Sequence, residues 1–332
     1  MKTFLISILL HCTCLFFAQD KYVLVVHGGA GTITRESLTK EREKAYHEAL
    51  KSSLLAGYEK IKQGKTSVEA VESALIVLEN SPLFNAGKGA VLTSKANAEL
   101  DASIMRGRDR MAGAVAGLTT IKNPIKAAIA VMNHSPHVML VGKGGEEFAE
   151  LQGLEKVPNT YFITPSRQES LKKYLNAQKN SHKVALSQSE AAQLYDSKFG
   201  TVGAVALDAQ GNLAAGTSTG GMTGKKFGRV GDSPIIGSGT YANAQVGVSA
   251  TGWGEFFIRT SAASNLAAQM KYLGLPVLKA AENTIEEIGD LGGDGGIIAL
   301  DKNGNIAMPF NTEGMYRGAI TEGGKIEIYI YK

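Results

Sequence analysis

Cysteine, long apolar runs and blocks of one charge are all scarce in this sequence. The only two cysteines among the 332 residues are Cys12 and Cys14, close to the N-terminus. The 35 basic and 31 acidic residues are spread along the chain and give a formal net charge of +4. Because no block of Lys or Arg stands out, we expect neither nucleic acid nor an acidic membrane surface as a partner.

The first eighteen residues have the pattern of a secretory signal peptide, which we predict over residues 1–18. A positively charged start precedes Phe4–Leu10, an apolar run too short to span a bilayer, and Ala18 is a small residue before the predicted cut. The alternatives are an uncleaved anchor or a buried N-terminal strand, and Phe16 is larger than the residue usual at its position. If the signal peptide is removed, we expect a periplasmic or secreted protein that is not attached to a membrane. The mature chain would lack cysteine, which excludes disulfides, thiolate metal sites and a Cys nucleophile.

The junction of Gly200 and Thr201 has the residue types that self-cleavage and nucleophilic catalysis require. It precedes Val202–Leu207, a run of small and β-branched residues typical of a buried strand. Gly200 lacks a Cβ, so its peptide bond tolerates strain and its carbonyl is open to attack. Cleavage would leave Thr201 with a hydroxyl and an α-amine, whose pKa of roughly 7.7–8.0 suits a general base. The alternative is an ordinary Gly-Thr turn that opens a strand.

A glycine-rich segment follows the first predicted strand. The continuous apolar run Tyr22–Val26 leads into the glycine turn His27–Thr32. Phosphate sites share this arrangement, but the spacing fits neither GxGxxG nor the P-loop pattern, and no Lys follows. The pattern therefore favours a tight approach of the backbone over a phosphate site.

Helices and further strands fall in blocks on both sides of position 200. Apolar residues four apart predict a helix over residues 37–63 ended by Gly64, and a capping box at Thr66 and Glu69 opens a second helix that stops before Pro82. The other predicted elements are a hairpin over 99–105 and 112–118, a helix from Asn123-Pro124, an exposed linker over 158–199, strands over 202–207, 213–216, 235–241 and 246–250, helices over 255–272 and 277–288, and a hairpin turning at Asn303-Gly304. The lack of regular βαβ alternation favours stacked antiparallel sheets covered by helices.

Eight short motifs, most of them containing glycine, occur along the chain. They are HGGAG at 27–31, PLFNAGKGAV at 82–91, ELDASIM at 99–105, GTVGAVALD at 200–208, GTSTGGMT at 216–223, GRVGDSPIIG at 228–237, TGWGE at 251–255 and FNTEGMYRG at 310–318. Together, and in this order, they resemble the plant-type L-asparaginase/isoaspartyl peptidase family of N-terminal-nucleophile hydrolases.

The resemblance implies an α+β fold, a four-layer αββα sandwich. It also implies a precursor that cuts itself after Gly200, so that an α chain over 19–200 and a β chain over 201–332 form one domain. An (αβ)2 homodimer, no catalytic cofactor and a structural sodium ion follow from the resemblance as well. The ion would be held by backbone carbonyls of the loop Leu78–Gly89.

The resemblance also implies the catalytic residues. Thr201 would be the nucleophile, and Thr219 would lie beside it and orient its hydroxyl. The alternative for Thr219 is a turn in which its hydroxyl caps the loop. Thr251 and Gly252 would form the oxyanion hole, a hydroxyl and a backbone N–H aimed at the developing negative charge.

The implied substrate contacts are Arg229, Asp232, Gly252 and Gly254. Arg229 would hold the α-carboxylate of the substrate through its bidentate fork, and Asp232 would pair with the α-ammonium. The alternative is a mutual surface salt bridge between the two side chains. Trp253, the only tryptophan, lines the leaving-group side of the pocket in one interpretation and packs in the core in the other.

The function implied is hydrolysis of β-aspartyl dipeptides and of the side-chain amide of L-asparagine through a threonyl acyl-enzyme. A glycosylasparaginase-like amidase is the neighbouring alternative, and a periplasmic amino-acid-binding protein that never cleaves itself is the alternative from another class. The sequence does not rank asparagine against dipeptides, because the implied contacts are to the aspartyl portion that both substrates share.

Overall fold

A computed structural model describes residues 22–180 and 200–332. The predicted signal peptide lies outside these residues, as does the part of the predicted linker between 181 and 199. No helix in the described part of the chain is both long enough and apolar enough to cross a membrane.

The first part of the chain contributes four strands and five helices. They are β1 (Val23–Gly31), α1 (Lys40–Lys62), α2 (Ser67–Glu79), β2 (Leu100–Arg106), β3 (Ala112–Leu118), α3 (Pro124–His134), β4 (Met139–Val141), α4 (Gly142–Leu151) and α5 (Pro165–Asn180). A short 3-10 turn, Asn159–Tyr161, precedes α5.

The second part contributes eight strands and three helices. They are β5 (Val202–Leu207), β6 (Leu213–Thr219), β7 (Thr240–Ala242), β8 (Val246–Gly252), α6 (Gly254–Arg259), α7 (Ala262–Leu273), α8 (Val277–Asp290), β9 (Gly295–Asp301), β10 (Ile306–Ala307), β11 (Gly314–Thr321) and β12 (Ile326–Tyr331). A 3-10 turn, Glu322–Gly324, joins the last two strands.

Two sheets organise the fold. The larger has the order β12-β11-β1-β5-β6-β2-β3-β4, and the smaller has the order β10-β9-β8-β7. Every strand pair is antiparallel except β3 with β4. In the larger sheet β5 pairs with β1, so segments from both sides of position 200 form one sheet. The predicted antiparallel stacking is confirmed.

Alternation of side chains along the strands builds three apolar layers. In β1, Leu24 and Val26 join a core with α1, α2 and α3, whereas Val23 and Val25 join a core that includes Ile298 and Leu300 of the smaller sheet. The opposite face of the smaller sheet packs on α7 and α8. Because successive side chains point to opposite faces, each sheet is buried on both sides. The result is the predicted four-layer αββα sandwich.

Local sequence signals placed several elements correctly. Helix α1 ends close to Gly64, which has a left-handed φ of +75°, although the capping residue itself is Gln63. The capping box of α2 forms between Thr66 and Glu69. Asn123 precedes α3 as predicted, but its side chain does not cap the helix and instead donates to the carboxylate of Glu79.

Five predicted elements were wrong in extent. The strand predicted over 213–216 continues to Thr219 as β6. Strand β1 does not stop at the glycine turn but continues to Gly31 across an irregularity between His27 and Gly29. The strand predicted over 235–241 is reduced to β7, because residues 232–239 are occupied by turns. The helix predicted over 255–272 is broken at Ser261, whose φ of +49° is left-handed.

The last correction concerns the linker predicted over 158–199. Its first half contains helix α5, in which Leu171 and Tyr174 are buried against the main core. These residues lie three apart and therefore on one face of the helix. The many polar residues of the other faces hid this short apolar stripe from composition-based interpretation.

Candidate active site

Thr201 and Thr219 are brought together by the hairpin of β5 and β6. Thr201 immediately precedes β5, Thr219 is the last residue of β6, and Val202 pairs with Ser218. The Thr201 hydroxyl donates to Oγ1 of Thr219 at 3.1 Å, and both residues are buried. The strand register alone therefore sets the two hydroxyls side by side at the end of the hairpin.

Thr219 also holds the turn that follows it. Its Oγ1 accepts a hydrogen bond from the backbone N–H of Gly221 at 3.0 Å. Both interpretations of Thr219 from the sequence are thus present in one side chain. A hydroxyl anchored by a backbone donor has a defined position, which suits it to orient the Thr201 hydroxyl.

Asn85 ties three parts of the site together and was missed by sequence reasoning. Its Nδ2 donates to the carbonyl of Gly221 at 2.8 Å, and its Oδ1 accepts from the Val91 N–H at 2.8 Å. A Cβ placed on Gly200 would lie 3.3 Å from the Asn85 Cβ. The motif PLFNAGKGAV contained the signal, since a buried Asn in a glycine-rich loop needs several partners.

Arg229 forms its ion pair with Glu255 and not with Asp232. Its Nε and Nη2 donate to the two carboxylate oxygens of Glu255 at 2.9 and 2.7 Å. The alternative of a mutual salt bridge between Arg229 and Asp232 on the surface is therefore wrong. This fork engages one edge of the guanidinium and leaves Nη1 on the other edge for a second partner. Glu255, at the end of the TGWGE motif, was not predicted as a site residue.

Asp232 is a buried carboxyl group with unused hydrogen-bonding capacity. It is 5% exposed, and its Oδ2 has no hydrogen-bond partner among residues 22–180 and 200–332. Burial raises the pKa of Asp232 to about 7, against the opposing effect of the nearby Arg229 charge. A buried carboxylate without a full set of partners is costly, and a bound cation would offset that cost.

The end of β8 supplies the other wall. Thr251 is 1% exposed, and its Oγ1 has no hydrogen-bond partner within the described chain. Gly252 has a φ of +144°, and a side chain there would collide with the backbone of Gly295. A Cβ on Gly254 would lie 2.6 Å from Oδ1 of Asp232 and 3.1 Å from Nη2 of Arg229.

Trp253 packs in the core of the smaller sheet. It is 5% exposed and meets Phe256 edge-on, with ring centroids 5.0 Å apart. It does not belong to the residues that line the cleft beside Thr201. Of the two interpretations, packing is the one that matches this position.

Most of the predicted residues converge on one small cleft. Its lining consists of Gly200, Thr201, Thr219, Gly221, Met222, Arg229, Gly231, Asp232, Ser233 and Gly252. Thr251 and Gly254 lie one and two residues from Gly252 in the chain, and Gly254 lies beside Asp232. The cleft thus combines a hydroxyl pair, an Arg, a buried carboxyl group and glycine backbone, an arrangement suited to an amino acid with a reacting carbonyl.

The loop predicted to hold a sodium ion has the chemistry for one. A Cβ on Gly89 would lie 2.8 Å from the carbonyl oxygen of Pro82 and would also collide with the carbonyl oxygen of Phe84. Two backbone carbonyl oxygens therefore lie close to the position that the side chain of another residue would fill, and hard cations prefer such oxygens. Within residues 22–180 and 200–332, no group of three or more His, Asp or Glu side chains forms a metal site.

The fold and this cleft define a class of protein. A four-layer αββα sandwich with a threonine at the start of a central strand is the N-terminal-nucleophile hydrolase type. The family model described as "Asparaginase" matches residues 20–330. The chain therefore belongs to this family.

Proteins with high similarity come from distant organisms. "Isoaspartyl peptidase" of Escherichia coli is 50% identical over 301 residues, which cover 90% of this chain and 92% of that protein. "Plant-type L-asparaginase" of Pyrococcus furiosus is 44% identical over 306 residues, or 91% and 97% of the two chains. "Isoaspartyl peptidase/L-asparaginase" of Xenopus laevis is 40% identical over 313 residues, or 94% and 96%.

Proposed function

We propose that this protein hydrolyses β-aspartyl dipeptides and the side-chain amide of L-asparagine, after cutting its own chain between Gly200 and Thr201. The observation that carries the proposal is the convergence of Thr201, Thr219, Arg229, Asp232 and Gly252 on one cleft. Relatives named as isoaspartyl peptidases and L-asparaginases, which match nearly the whole chain, support the same activity.

The proposed self-cleavage begins with Thr201. Its Oγ1, held by Thr219 at 3.1 Å, attacks the carbonyl carbon of Gly200. The peptide C–N bond breaks, its nitrogen takes up a proton, and the Gly200 acyl group is transferred to the hydroxyl as an ester. Water then hydrolyses the ester, which frees the carboxylate of Gly200 and leaves Thr201 with both a hydroxyl and an α-amine.

Arg229 and Asp232 would hold the amino-acid end of the substrate. The guanidinium edge that does not face Glu255 is available to the α-carboxylate, and the free oxygen of Asp232 to the α-ammonium. The α-ammonium would then supply the missing partner of the buried Asp232 carboxylate, and the α-carboxylate would supply the second partner of Arg229. This pairing favours a free amino acid end over a neutral amide.

In the hydrolytic step, Thr201 would supply both the nucleophile and the base. The α-amine of Thr201 takes the hydroxyl proton, and Oγ1 attacks the side-chain carbonyl of the substrate. The Thr251 hydroxyl and the Gly252 N–H would stabilise the oxyanion. The C–N bond breaks as the amine returns the proton to the leaving ammonia or amino acid, and water then releases aspartate from the acyl-enzyme.

The loop around Gly89 would hold a sodium ion through the carbonyls of Pro82 and Phe84. The ion would supply structural support to the segment that carries Asn85, and no chemical step passes through it. We also propose that the protein is exported after removal of residues 1–18, which Edman sequencing of the N-terminus would test. Light scattering would test the proposed (αβ)2 homodimer.

Mass spectrometry of the denatured protein, together with an ammonia-release assay, tests the main proposal. We expect two chains, one ending at Gly200 and one beginning at Thr201, and release of ammonia from L-asparagine. A single chain that binds amino acids without hydrolysis would support the binding-protein alternative. Hydrolysis confined to glycosylated asparagine would support the glycosylasparaginase alternative, and either result would reject the proposal.

A further inference from the structure

A chain of hydrogen-bonded side chains crosses the space between the two sheets. Its members are His27, Ser249, Thr217, Thr240 and Ser103, and we call them the hydroxyl chain. They come from β1, β8, β6, β7 and β2, that is, from five different strands of both sheets. Each of the five is 0% exposed.

The links along the hydroxyl chain are short and continuous. His27 Nε2 lies 2.9 Å from Ser249 Oγ, which lies 2.7 Å from Thr217 Oγ1. Thr240 Oγ1 donates to Thr217 Oγ1 at 2.6 Å, and Ser103 lies 2.7 Å from Thr240 Oγ1. Ser249, Thr217 and Thr240 therefore each have a side-chain partner on both sides, and Ser103 ends on a backbone carbonyl. At the other end, Nδ1 of His27 has no hydrogen-bond partner within the described residues.

One end of the hydroxyl chain lies against the strand that begins after Thr201. Burial lowers the pKa of His27 to about 3, so the ring is neutral and has one donor and one acceptor nitrogen. The nearby backbone of Thr201 opposes this pKa shift, but Nδ1 of the ring has no hydrogen-bond partner within residues 22–180 and 200–332. A side chain at Gly203 would collide with His27 Nε2, so the ring packs directly on β5.

The other end reaches the residue after Asp232. The hydroxyl of Ser103 lies 2.7 Å from the carbonyl oxygen of Ser233, and Thr240 Oγ1 lies 3.2 Å from the same oxygen. Asp232 itself packs beside Gly239, where an added Cβ would lie 2.8 Å from its Oδ2. The hydroxyl chain thus runs from a ring that packs on β5, the strand after the nucleophile, to the backbone carbonyl next to the carboxyl group.

Apolar side chains would pack the two sheets together at a lower cost in free energy. The neighbouring inward positions carry Val25, Val205, Ala215, Ile298 and Leu300. Buried polar groups cost free energy unless all are paired, and what they add is a defined geometry, since hydrogen bonds constrain distance and direction more than apolar contacts do. A chain in which all four hydroxyls are linked, set in an apolar layer, therefore points to a need for accurate alignment.

We propose that the hydroxyl chain sets the separation between Thr201 and Asp232, and thereby makes the site selective for aspartyl over glutamyl substrates. The two substrate classes differ by one methylene between the α-carbon and the reacting carbonyl. When the α-ammonium is bound at Asp232, only the shorter aspartyl substrate places its reacting side-chain carbonyl at Thr201. His27, Ser249 and Thr217 act here as positioning residues. The inference rests on the proposed function and names what determines its substrate class.

Kinetics of Thr217 variants on L-asparagine and L-glutamine test this inference. Thr217→Val removes the central link while keeping the shape of the side chain, and Thr217→Ser restores the hydroxyl. We expect Thr217→Val to lower kcat on L-asparagine about tenfold or more, since small misplacements of reacting groups have such effects. The ratio of kcat/KM for asparagine to that for glutamine should also fall, and Thr217→Ser should retain most of both.

Thr284→Val is the matched control. Thr284 is also 0% exposed and donates to the Ala280 carbonyl at 2.8 Å, but it lies in α8, away from the cleft. Loss of this hydroxyl should lower the midpoint of thermal unfolding. It should leave the ratio of kcat/KM for asparagine to that for glutamine unchanged. The ratio does not depend on how much of the sample is folded or cleaved, so a general loss of stability does not alter it.

The outcomes separate this inference from the proposed function. A wild-type protein that neither cuts itself nor hydrolyses asparagine would reject the proposed function. An active wild type with an unchanged ratio in Thr217→Val and in Ser249→Ala would reject only the role of the hydroxyl chain. The same holds if Thr217→Ser is as impaired as Thr217→Val, or if neither Thr217→Val nor Ser249→Ala folds, because the chain would then be purely structural.

Discussion

Gly29 lies directly against Gly200, although the two residues are far apart in the sequence. A Cβ placed on Gly29 would be 2.6 Å from the Cα of Gly200 and 3.2 Å from the nitrogen of Thr201. The φ of Gly29 is +111°, a conformation that L side chains rarely adopt. The backbone of strand β1 therefore packs directly against the peptide bond that is proposed to be cut.

Gly29→Ala should slow cleavage at Gly200. The methyl group has no room, so either the strand or the target bond must move, and we expect roughly a tenfold slower reaction. The measurement is the time course of the two chains by denaturing electrophoresis. Gly64→Ala is the matched control, because Gly64 also has a positive φ, of +75°, but nothing within 4 Å of the added atom. Equal cleavage rates in the two variants would contradict the prediction.

Thr201→Ala should give a single uncut chain without hydrolytic activity. The substitution removes the only nucleophilic atom that the proposed mechanism uses, while the small methyl group fits the buried position. Intact mass under denaturing conditions checks cleavage, and ammonia release checks activity. Thr201→Ser, which keeps a hydroxyl, should still be cut. Normal cleavage in Thr201→Ala would show that another residue is the nucleophile.

Thr219→Val should lower kcat by roughly 10- to 100-fold with a small change in KM. The variant keeps the shape of the side chain but loses the oxygen that accepts from Thr201 at 3.1 Å and from Gly221 at 3.0 Å. Steady-state kinetics on L-asparagine would measure both constants. A rise in KM at unchanged kcat would instead assign Thr219 to substrate binding.

Arg229→Lys should raise KM for L-asparagine by about tenfold or more, because Lys lacks the planar fork. Glu255→Gln should raise KM by a smaller factor. Glu255 orients the guanidinium through bonds of 2.7 and 2.9 Å, and a neutral amide accepts at only one of its two positions. The ordering of the two KM values is the critical result. A lower KM in Glu255→Gln would mean that Glu255 competes with the substrate.

Binding of amino-acid ligands should weaken as the pH falls below about 7. Asp232 has its pKa raised to about 7 by burial, and only its ionised form pairs with an α-ammonium. The inhibition constant of L-aspartate should therefore rise about tenfold for each pH unit below that value. In Asp232→Asn this pH dependence should disappear and binding should be weak throughout. A wild-type profile that is flat from roughly pH 5 to pH 7, below this pKa, would contradict the assignment.

The raised pKa of Asp232 also predicts the direction in which the stability of the folded protein changes with pH. The unfolded chain loses this proton near the ordinary value of 3.8, while the folded protein keeps it up to about 7. The folded state therefore binds more protons between these values, and the contribution of Asp232 to stability falls as the pH rises through that interval. Compared with Asp232→Asn, the ligand-free wild type should lose thermal stability between pH 4 and pH 7.

Local patterns predicted those elements whose ends depend on nearby residues. The capping box at Thr66 and Glu69 correctly located the start of α2, because such a cap is made within one helical turn. The break at Ser261 was missed, because a left-handed residue between two apolar helical stretches leaves no periodic signal. Helix α5 was missed because its apolar stripe is short and its composition is polar.

The candidate site could be predicted only where a motif carried it. Thr201, Thr219, Arg229, Asp232 and Gly252 lie in motifs and line one cleft. Glu255 and Asn85 also stand in motifs, at 251–255 and 82–91, yet the sequence does not show that their partners are Arg229 and the Gly221 turn. A motif names residue types at a spacing, whereas hydrogen-bond partners depend on how loops from different strands meet.

By itself, the sequence determined the chemistry available to this protein and the class of its fold. Alternating and continuous apolar runs required sheets buried on both faces, and the Gly200–Thr201 junction supplied a hydroxyl next to an open carbonyl. Tertiary structure alone decided which distant groups meet. Gly29 reaches Gly200, Arg229 pairs with Glu255, and His27 joins Ser249 between the sheets. These contacts depend on strand register and sheet packing, which many residues set together and no local pattern encodes.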